Sequence, residues 1–349
     1  MPERNTMKKI QELQQVKGDA YDYYIAGNED TDLFEKIFLV DDIVEEICKP
    51  DKYFLIGEKG SGKTAYSVYM SKSDKINSFC SISLVENTLY QRFLNMKRQK
   101  ALELSSFKDV WINLIYLILA EKIRKEYGET FFSSIKYKQL SKAIDVFYSD
   151  AFKPEFVNAF EFVDNASASI NSMMKQGLFS TGTKASAETS QKYVEQSFQI
   201  SLLKIRDGFE KAFMSVNLKK PTILFVDGID ARPRDIDNEQ YFECLVGLVN
   251  AVLEMNQSFL KEKQIKIMLL IRPDIMYKMP VHNMNQKLRN NSVLLNWVTS
   301  YRKYIDSKLF KIADDYFMKQ QDYSYELGEC WNYYFPYKVE YQEKWKAPD

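Results

Sequence analysis

Residues 57–64 read Gly57-Glu58-Lys59-Gly60-Ser61-Gly62-Lys63-Thr64, which matches the pattern GxxxxGK[ST] at every fixed position. Glycines in this pattern let backbone N–H groups curl around phosphates, the lysine reaches their β and γ oxygens, and the final hydroxyl can ligate Mg²⁺. Residues 53–56 form an apolar run suited to a strand, and residues 65–70 can continue a helix that begins at Lys63. The positive end of that helix faces the same anion. These eight residues, together with Ala65, are therefore predicted to hold a nucleoside triphosphate.

The bulk composition is that of a globular protein. The chain has 349 residues, of which 45% are hydrophobic, enough for a sizeable core in one large or two ordinary domains. Forty-eight basic residues balance 48 acidic ones. The balance predicts no overall field that would attract nucleic acid or anionic lipid.

Cysteine and histidine usage excludes several kinds of site. The four cysteines are scattered without a CxxC pair, which argues against a disulfide framework and against a zinc site. His282 is the only histidine, so histidine metal clusters, Ser-His-Asp triads and Cys-His dyads are excluded. We find neither an apolar leader nor an apolar run of 18 residues, and we therefore expect a cytoplasmic protein without membrane contact. Catalysis must then use carboxylates, lysine, arginine and metal.

Apolar runs predict a parallel sheet. Nearly unbroken runs are what strands buried on both faces require, and residues 238–255 have the helical spacing of a crossover between two of them. The predicted fold class is α/β, a P-loop NTPase with a five-stranded parallel sheet flanked by helices. Its predicted strands are residues 53–56, 78–84, 222–227, 265–271 and 292–296.

The whole sequence is predicted to divide into four parts. These are a helical lead-in at 1–52, an ATPase core at 53–86 and 218–297, a helical insertion at 87–217, and a helical and aromatic cap at 298–349. In the insertion, residues 107–126 show a long apolar helix, and a Ser/Ala/Thr-rich loop follows later. We expect the insertion to offer a surface to a protein partner or to a second copy of the chain.

Two features leave a nucleic-acid contact open. The basic residues of 92–100 could contact nucleic acid or could form a solvated helix face. The aromatic residues of 331–337 could stack on bases or could pack as a cap, and packing is the commoner use.

Two acidic residues lie at or just beyond the end of the third predicted strand. Asp227 ends that strand, where a carboxylate can hold Mg²⁺ together with the Thr64 hydroxyl, although it could also simply close a turn. Hydrolysis further needs a carboxylate that orients or deprotonates water. Gly228 occupies the next position, so Asp230 is the candidate, with fixation of the following loop as its alternative role.

Arg272 follows the fourth predicted strand in the string Leu269-Leu270-Ile271-Arg272-Pro273-Asp274. A guanidinium there could stabilise charge on a γ-phosphate, or it could form a salt bridge with Asp274 or with another carboxylate at the sheet edge. Arg232 and Arg234 could reach a neighbouring subunit, but no spacing selects either of them.

Several motifs resemble those of known ATPases. The string ILFVDGID at 223–230 resembles the Walker B strand of the STAND, NACHT and KAP classes, in which a second acid stands three positions after the first, whereas many AAA-type ATPases carry Glu where Gly228 lies. LLIRPD at 269–274 resembles the sensor strand of the same classes. Together with GEKGSGKT, KLRNNSV and WNYYFPY, these strings look like a bacterial family of P-loop ATPases over residues 27–337. Members of that family continue beyond the WNYYFP segment.

The resemblance implies an ATPase that uses ATP and Mg²⁺, with Lys63, Thr64 and Asp227 in the roles given above. By analogy it implies a setting in antiviral defence or nucleic-acid maintenance. One alternative is a nucleotide-gated interaction module that scarcely hydrolyses ATP. A P-loop kinase is a further alternative, disfavoured by the long insertion and by the DGID string.

Overall fold

The computed structural model describes residues 7–25, 28–85, 107–132, 137–150, 202–230, 238–279, 288, 290–297 and 304–336. Within them the chain separates into two compact units. One unit is continuous, from Ile43 to Leu295, and the other combines residues from both ends of the sequence.

The continuous unit contains the predicted five-stranded sheet. Its strands are β1 (Phe54–Gly57), β2 (Phe79–Leu84), β3 (Thr222–Asp227), β4 (Ile265–Ile271) and β5 (Ser292–Leu295). All four pairings are parallel, and the order across the sheet is β2-β3-β4-β1-β5. The α/β class and the five parallel strands are thus confirmed.

Burial along the strands follows this order. Every residue of β1, β3 and β4 is buried, whereas the edge strands β2 and β5 contain partly exposed positions. Unbroken burial explains the continuous apolar runs, because a central parallel strand is covered on both faces.

Helices cover the sheet. In the continuous unit these are α3 (Asp42–Cys48), α4 (Lys63–Lys72), α5 (Phe107–Phe132), α6 (Lys138–Asp150), α7 (202–215), α8 (Asn238–Asn256) and α9 (Pro273–Lys278). Helix α4 packs on β1 and β2, α8 packs on β4, and α5 packs on α8 and α6. None of the helices in the described residues combines the length and the apolar content needed to cross a membrane.

Helix α5 is buried on almost all sides. Residues 110–121 are all buried, and the Trp111 Nε1–H donates to the Cys244 carbonyl of α8 at 3.1 Å. Gly247 of α8 allows this close approach, because a Cβ there would lie 2.6 Å from the Cβ of Phe107. The predicted helix at 107–126 is confirmed, and it continues to Phe132 with a break at Gly128.

One buried lysine interrupts the apolar pattern of β4. The Lys266 ammonium donates to the carbonyl oxygens of Ile47 and Lys49 at the end of α3. The carboxyl end of a helix carries partial negative charge, which favours a cation there. Burial lowers the pKa of Lys266 to about 8.

The second unit brings together segments distant in sequence. It contains a 3-10 turn at Ile10–Glu12, α1 (Ala20–Ile25), α2 (Asn28–Ile37), a 3-10 turn at Tyr304–Asp306, α10 (Lys308–Met318) and α11 (Glu329–Tyr334). The backbone N–H groups of Lys8 and Gln14 donate to the side chains of Gln321 and Gln320 at 2.7 and 2.8 Å.

The aromatic residues of this unit pack on one another. Phe317 contacts Trp331, Tyr334 and Phe335, and Phe310 also contacts Trp331. The buried Asp314 carboxylate accepts from the N–H groups of Gly328 and Trp331 at the start of α11. Trp331, Tyr334 and Phe335, of the predicted aromatic segment 331–337, therefore contribute to packing.

Replacing Gly247 with alanine should destabilise the protein by about 1–3 kcal/mol, because the added methyl group collides with Phe107. This loss should appear although alanine favours a helix by about 1 kcal/mol over glycine. Gly208→Ala in α7 is the matched control, since a Cβ there meets nothing within 4 Å. It should stabilise the protein by about 0.5–1 kcal/mol in urea unfolding. Similar effects of both substitutions would contradict the tight contact between α5 and α8.

Candidate functional site

The phosphate-binding pattern forms a turn that depends on glycine. β1 ends at Gly57 and α4 begins at Lys63. Gly60 and Gly62 have φ values of 81° and 89°, in the left-handed region that favours glycine. A Cβ on Gly57 would lie 2.2 Å from the Ser61 Oγ. Gly57 and Gly62, the two glycines that the pattern fixes, and Gly60 between them thus have conformational or steric reasons to be glycine.

The first turn of α4 presents backbone donors to this loop. The first hydrogen bond within the helix runs from the Tyr66 N–H to the Gly62 carbonyl. By helix geometry, the N–H groups of Lys63, Thr64 and Ala65 then have no acceptor inside the helix. Such a helix start, with its partial positive charge, is suited to an anion.

The Lys63 side chain is buried and folded back on its own loop. Its Nζ donates to the carbonyl oxygens of Gly57 and Glu58 at 2.8 and 3.2 Å, and lies 3.9 Å from the Asp230 Oδ2. Burial lowers the pKa of Lys63, the negative charges of Asp230 and Asp227 oppose this change, and Arg272 adds to it. The lysine is thus held beside the loop by backbone carbonyls and one carboxylate.

The structure brings Thr64 and Asp227 together, although 162 residues separate them in sequence. The Thr64 hydroxyl donates to the Asp227 Oδ2 at 2.6 Å, and the Asp227 Oδ1 accepts from the Gly228 N–H at 2.7 Å. A hydroxyl and a carboxylate at this separation match the oxygen ligands that Mg²⁺ takes, and Mg²⁺ commonly uses only one or two carboxylates beside phosphate oxygens and water. In the described part of the chain, no group of three or more His, Cys, Asp or Glu residues could hold a metal by itself.

Gly228 cannot be replaced by an acidic residue without a rearrangement. Its φ is 83°, and a Cβ there would lie 2.9 Å from the Val85 carbonyl oxygen. The close approach to Val85, just beyond β2, explains why a glycine follows Asp227. Because position 228 requires a glycine, an acid that activates water would have to come from another position.

Asp230 lies beside the lysine instead. Its carboxylate accepts a hydrogen bond from the Arg272 backbone N–H, and its Oδ1 is buried without a hydrogen-bond partner in the described part of the chain. Burial raises the pKa of Asp230 to about 6; the charges of Lys63 and Arg272 oppose the rise and that of Asp227 adds to it. A buried acid with a raised pKa is typical of functional sites.

Arg272 follows β4 directly, but its side chain pairs with Asp274. Its Nε and Nη2 donate to the two carboxylate oxygens of Asp274 at 2.9 and 2.8 Å. The alternative that pairs Arg272 with Asp274 is therefore the one seen here. Arg232 and Arg234 lie outside the described residues, as do the basic residues of 92–100.

Tyr241 holds the residues that follow β3, a role that its helical spacing alone does not predict. The spacing of residues 238–255 predicts only that Tyr241 belongs to an apolar helix face. In the fold its hydroxyl donates to the Ile229 carbonyl at 2.6 Å, inside the core. The sequence signal for this contact is a tyrosine hydroxyl in the middle of an otherwise apolar helix face, because a buried tyrosine hydroxyl needs a hydrogen-bond partner.

Replacing Asp230 with asparagine should change the pH dependence of stability. The folded-state pKa of about 6 exceeds the ordinary value of 3.8, so the charged form of Asp230 destabilises the folded protein above pH 6 and has no effect well below pH 4. The variant should therefore gain about 1–3 kcal/mol of unfolding free energy over the wild type between pH 4 and pH 7, with the exposed quarter of the side chain lowering the gain.

Urea unfolding at pH 4, 5, 6 and 7 measures this difference. Asp74→Asn, at an exposed position just after α4, is the control and should shift the unfolding free energy by less than about 0.5 kcal/mol. A constant difference between Asp230→Asn and the wild type over this pH range would show that the pKa of Asp230 is not raised.

No protein-family model matches this chain, and neither a curated protein nor a solved structure matches it. The resemblance to P-loop ATPases therefore rests on the motifs quoted above. Support for a function comes from the arrangement of Lys63, Thr64, Asp227 and Asp230.

Proposed function

We propose that this protein binds ATP with Mg²⁺ and hydrolyses it, and that the hydrolysis drives or resets a conformational switch. The contact between the Thr64 hydroxyl and the Asp227 carboxylate is the observation that carries the proposal. It joins the end of the glycine loop to the end of a distant strand, as a shared Mg²⁺ site requires. A glycine turn formed by chance would give no reason for that contact.

Binding is assigned to the loop and the start of α4. Backbone N–H groups of residues 60–65 would surround the phosphates, and Lys63 would exchange the carbonyls of Gly57 and Glu58 for phosphate oxygens. Thr64 and Asp227 would hold Mg²⁺, which when bound neutralises charge on the β- and γ-phosphate oxygens.

Asp230 is the residue that we assign to the attacking water. It is the acid next to Lys63, and position 228 cannot carry one. A pKa of about 6 suits a general base near neutral pH, since the group is mostly ionised yet still accepts a proton. Arg272 would stabilise charge on the γ-phosphate after leaving Asp274.

A nucleotide-gated interaction module is the second candidate. Gly228 favours this candidate, because many AAA-type ATPases carry glutamate at that position. The acid that remains near the loop, Asp230, already lies 3.9 Å from the Lys63 ammonium. Such a protein would bind ATP and change shape with little turnover. Under either function, a protein partner or a second copy is proposed to bind through the helical insertion, and a role in antiviral defence or nucleic-acid maintenance is proposed from the resemblance alone.

Lys63→Ala and Asp227→Asn should each lower Mg²⁺-dependent ATP turnover about 100-fold or more, because the first removes a cation proposed to stabilise transition-state charge and the second removes a carboxylate proposed to hold Mg²⁺. Phosphate release at saturating ATP measures the effect. Lys75→Ala and Asp74→Asn are the matched controls, at exposed positions near the end of α4 remote from the loop, and should keep wild-type turnover. Equal turnover in all five proteins would refute the proposed function.

Asp230→Asn separates the two candidate functions. If Asp230 activates water, this variant should bind ATP with wild-type affinity and lose about 100-fold in turnover, within the range for removal of a general base. Calorimetric titration and phosphate release on the same samples measure both quantities. Tight ATP binding by the wild type without phosphate release would favour the interaction module, and unchanged turnover in the variant would remove Asp230 from the mechanism.

A further inference from the structure

The pair formed by Arg272 and Asp274 lies at a central point of the site. β4 lies between β1 and β3 in the sheet, so its carboxyl end is placed between the glycine loop and Asp227. Arg272 is the first residue beyond β4, and Asp274 lies in the first turn of α9. Two side chains only two residues apart in sequence thus meet beside the proposed phosphate position.

Arg272 also interacts with the other charged residues of the site. Its backbone N–H donates to the Asp230 carboxylate, and its guanidinium charge acts on both Asp230 and Lys63. Those two residues meet at 3.9 Å beside the loop. The guanidinium is therefore within electrostatic reach of the groups that would surround a terminal phosphate.

The contact with Asp274 can be exchanged. It has good bidentate geometry, but the Arg272 and Asp274 side chains are 27% and 43% exposed. Ion pairs open to solvent contribute little stability, since water screens them. A phosphate group offers a guanidinium the same two-pronged geometry with more negative charge.

We propose that Asp274 limits the preference for ATP over ADP, by competing with the γ-phosphate for the Arg272 guanidinium. This inference rests on the proposed function, because it requires a nucleotide on the loop. Asp274 is a positioning residue in this scheme, since it touches Arg272 and not the nucleotide. Only a nucleotide with a third phosphate displaces it, so the carboxylate lowers the affinity for ATP and leaves that for ADP nearly unchanged.

Binding constants for Mg²⁺-ADP and for a non-hydrolysable Mg²⁺-ATP analogue test the proposal, measured by calorimetric titration of the full chain. Asp274→Asn should raise the affinity for the analogue about three- to fivefold and change that for ADP less than about twofold, since an ion pair of this exposure contributes up to about 1 kcal/mol. Asp274→Glu keeps the carboxylate and should retain a ratio near that of the wild type. Glu262→Gln is the matched control, because it removes one exposed negative charge just before the opposite end of β4, and both affinities should stay unchanged.

A double-variant comparison shows whether the effect passes through Arg272. Arg272→Ala should weaken binding of the analogue selectively, and adding Asp274→Asn to it should then change neither affinity. Retained ADP binding in each variant shows that the site is folded.

Each remaining outcome is decisive. Equal shifts in the two affinities, weaker binding of the analogue by Asp274→Asn, or a gain that persists in the absence of Arg272 would overturn the role of Asp274 while leaving the proposed function intact. Failure of the wild type to bind either nucleotide would overturn both.

Discussion

The position of β4 between β1 and β3 is the constraint on which the site depends. Neighbouring strands lie about 4.8 Å apart, so the ends of β1 and β3 are about 10 Å apart, and side chains must cover the gap. Thr64 does so from the first turn of α4 and meets Asp227 at 2.6 Å. Pairing between β4 and β1 starts at Leu269, and Asn256 supports β4 before that point. Its Oδ1 accepts from the Ile267 N–H at 2.9 Å, and its Nδ2 donates to the Ile267 carbonyl at 2.8 Å.

The strands and the glycine loop could be predicted, whereas the contacts that complete the site could not. Strands buried on both faces leave unbroken apolar runs, and β3 and β4 coincide with theirs. The contact of Gly228 with Val85 joins residues 143 positions apart, so no local pattern reports it. The sequence also could not show whether the Arg272 side chain pairs with Asp274 or points to a phosphate position, because that depends on the rotamers of both side chains. Lys266 is a charged residue inside a strand, and the helix end that accepts its hydrogen bonds lies more than 200 residues earlier. No local pattern predicts that contact.

The charged groups of the site already have partners within the protein. Backbone carbonyls hold Lys63, the Thr64 hydroxyl holds Asp227, and Asp274 holds Arg272. Nucleotide binding would therefore exchange partners, and its free energy would be a difference between two similar sets of contacts. Asp230 is only partly paired: its carboxylate accepts from the Arg272 N–H and its Oδ2 lies 3.9 Å from the Lys63 ammonium, but its Oδ1 is buried without a hydrogen-bond partner within the described residues. A buried carboxylate oxygen without a hydrogen-bond partner destabilises the folded protein.

The unit formed from both ends of the sequence has a consequence for synthesis. The hydrogen bond between Lys8 and Gln321 spans 313 positions, whereas the sheet unit is continuous. Translation proceeds at about 5–20 residues per second, so the first segment leaves the ribosome roughly 15–60 s before its partner exists. The sheet unit can fold during that interval. Residues 7–25 and 28–42 can make their contacts with residues 304–336 only once the latter have been synthesised, so this unit is completed later than the sheet unit can be.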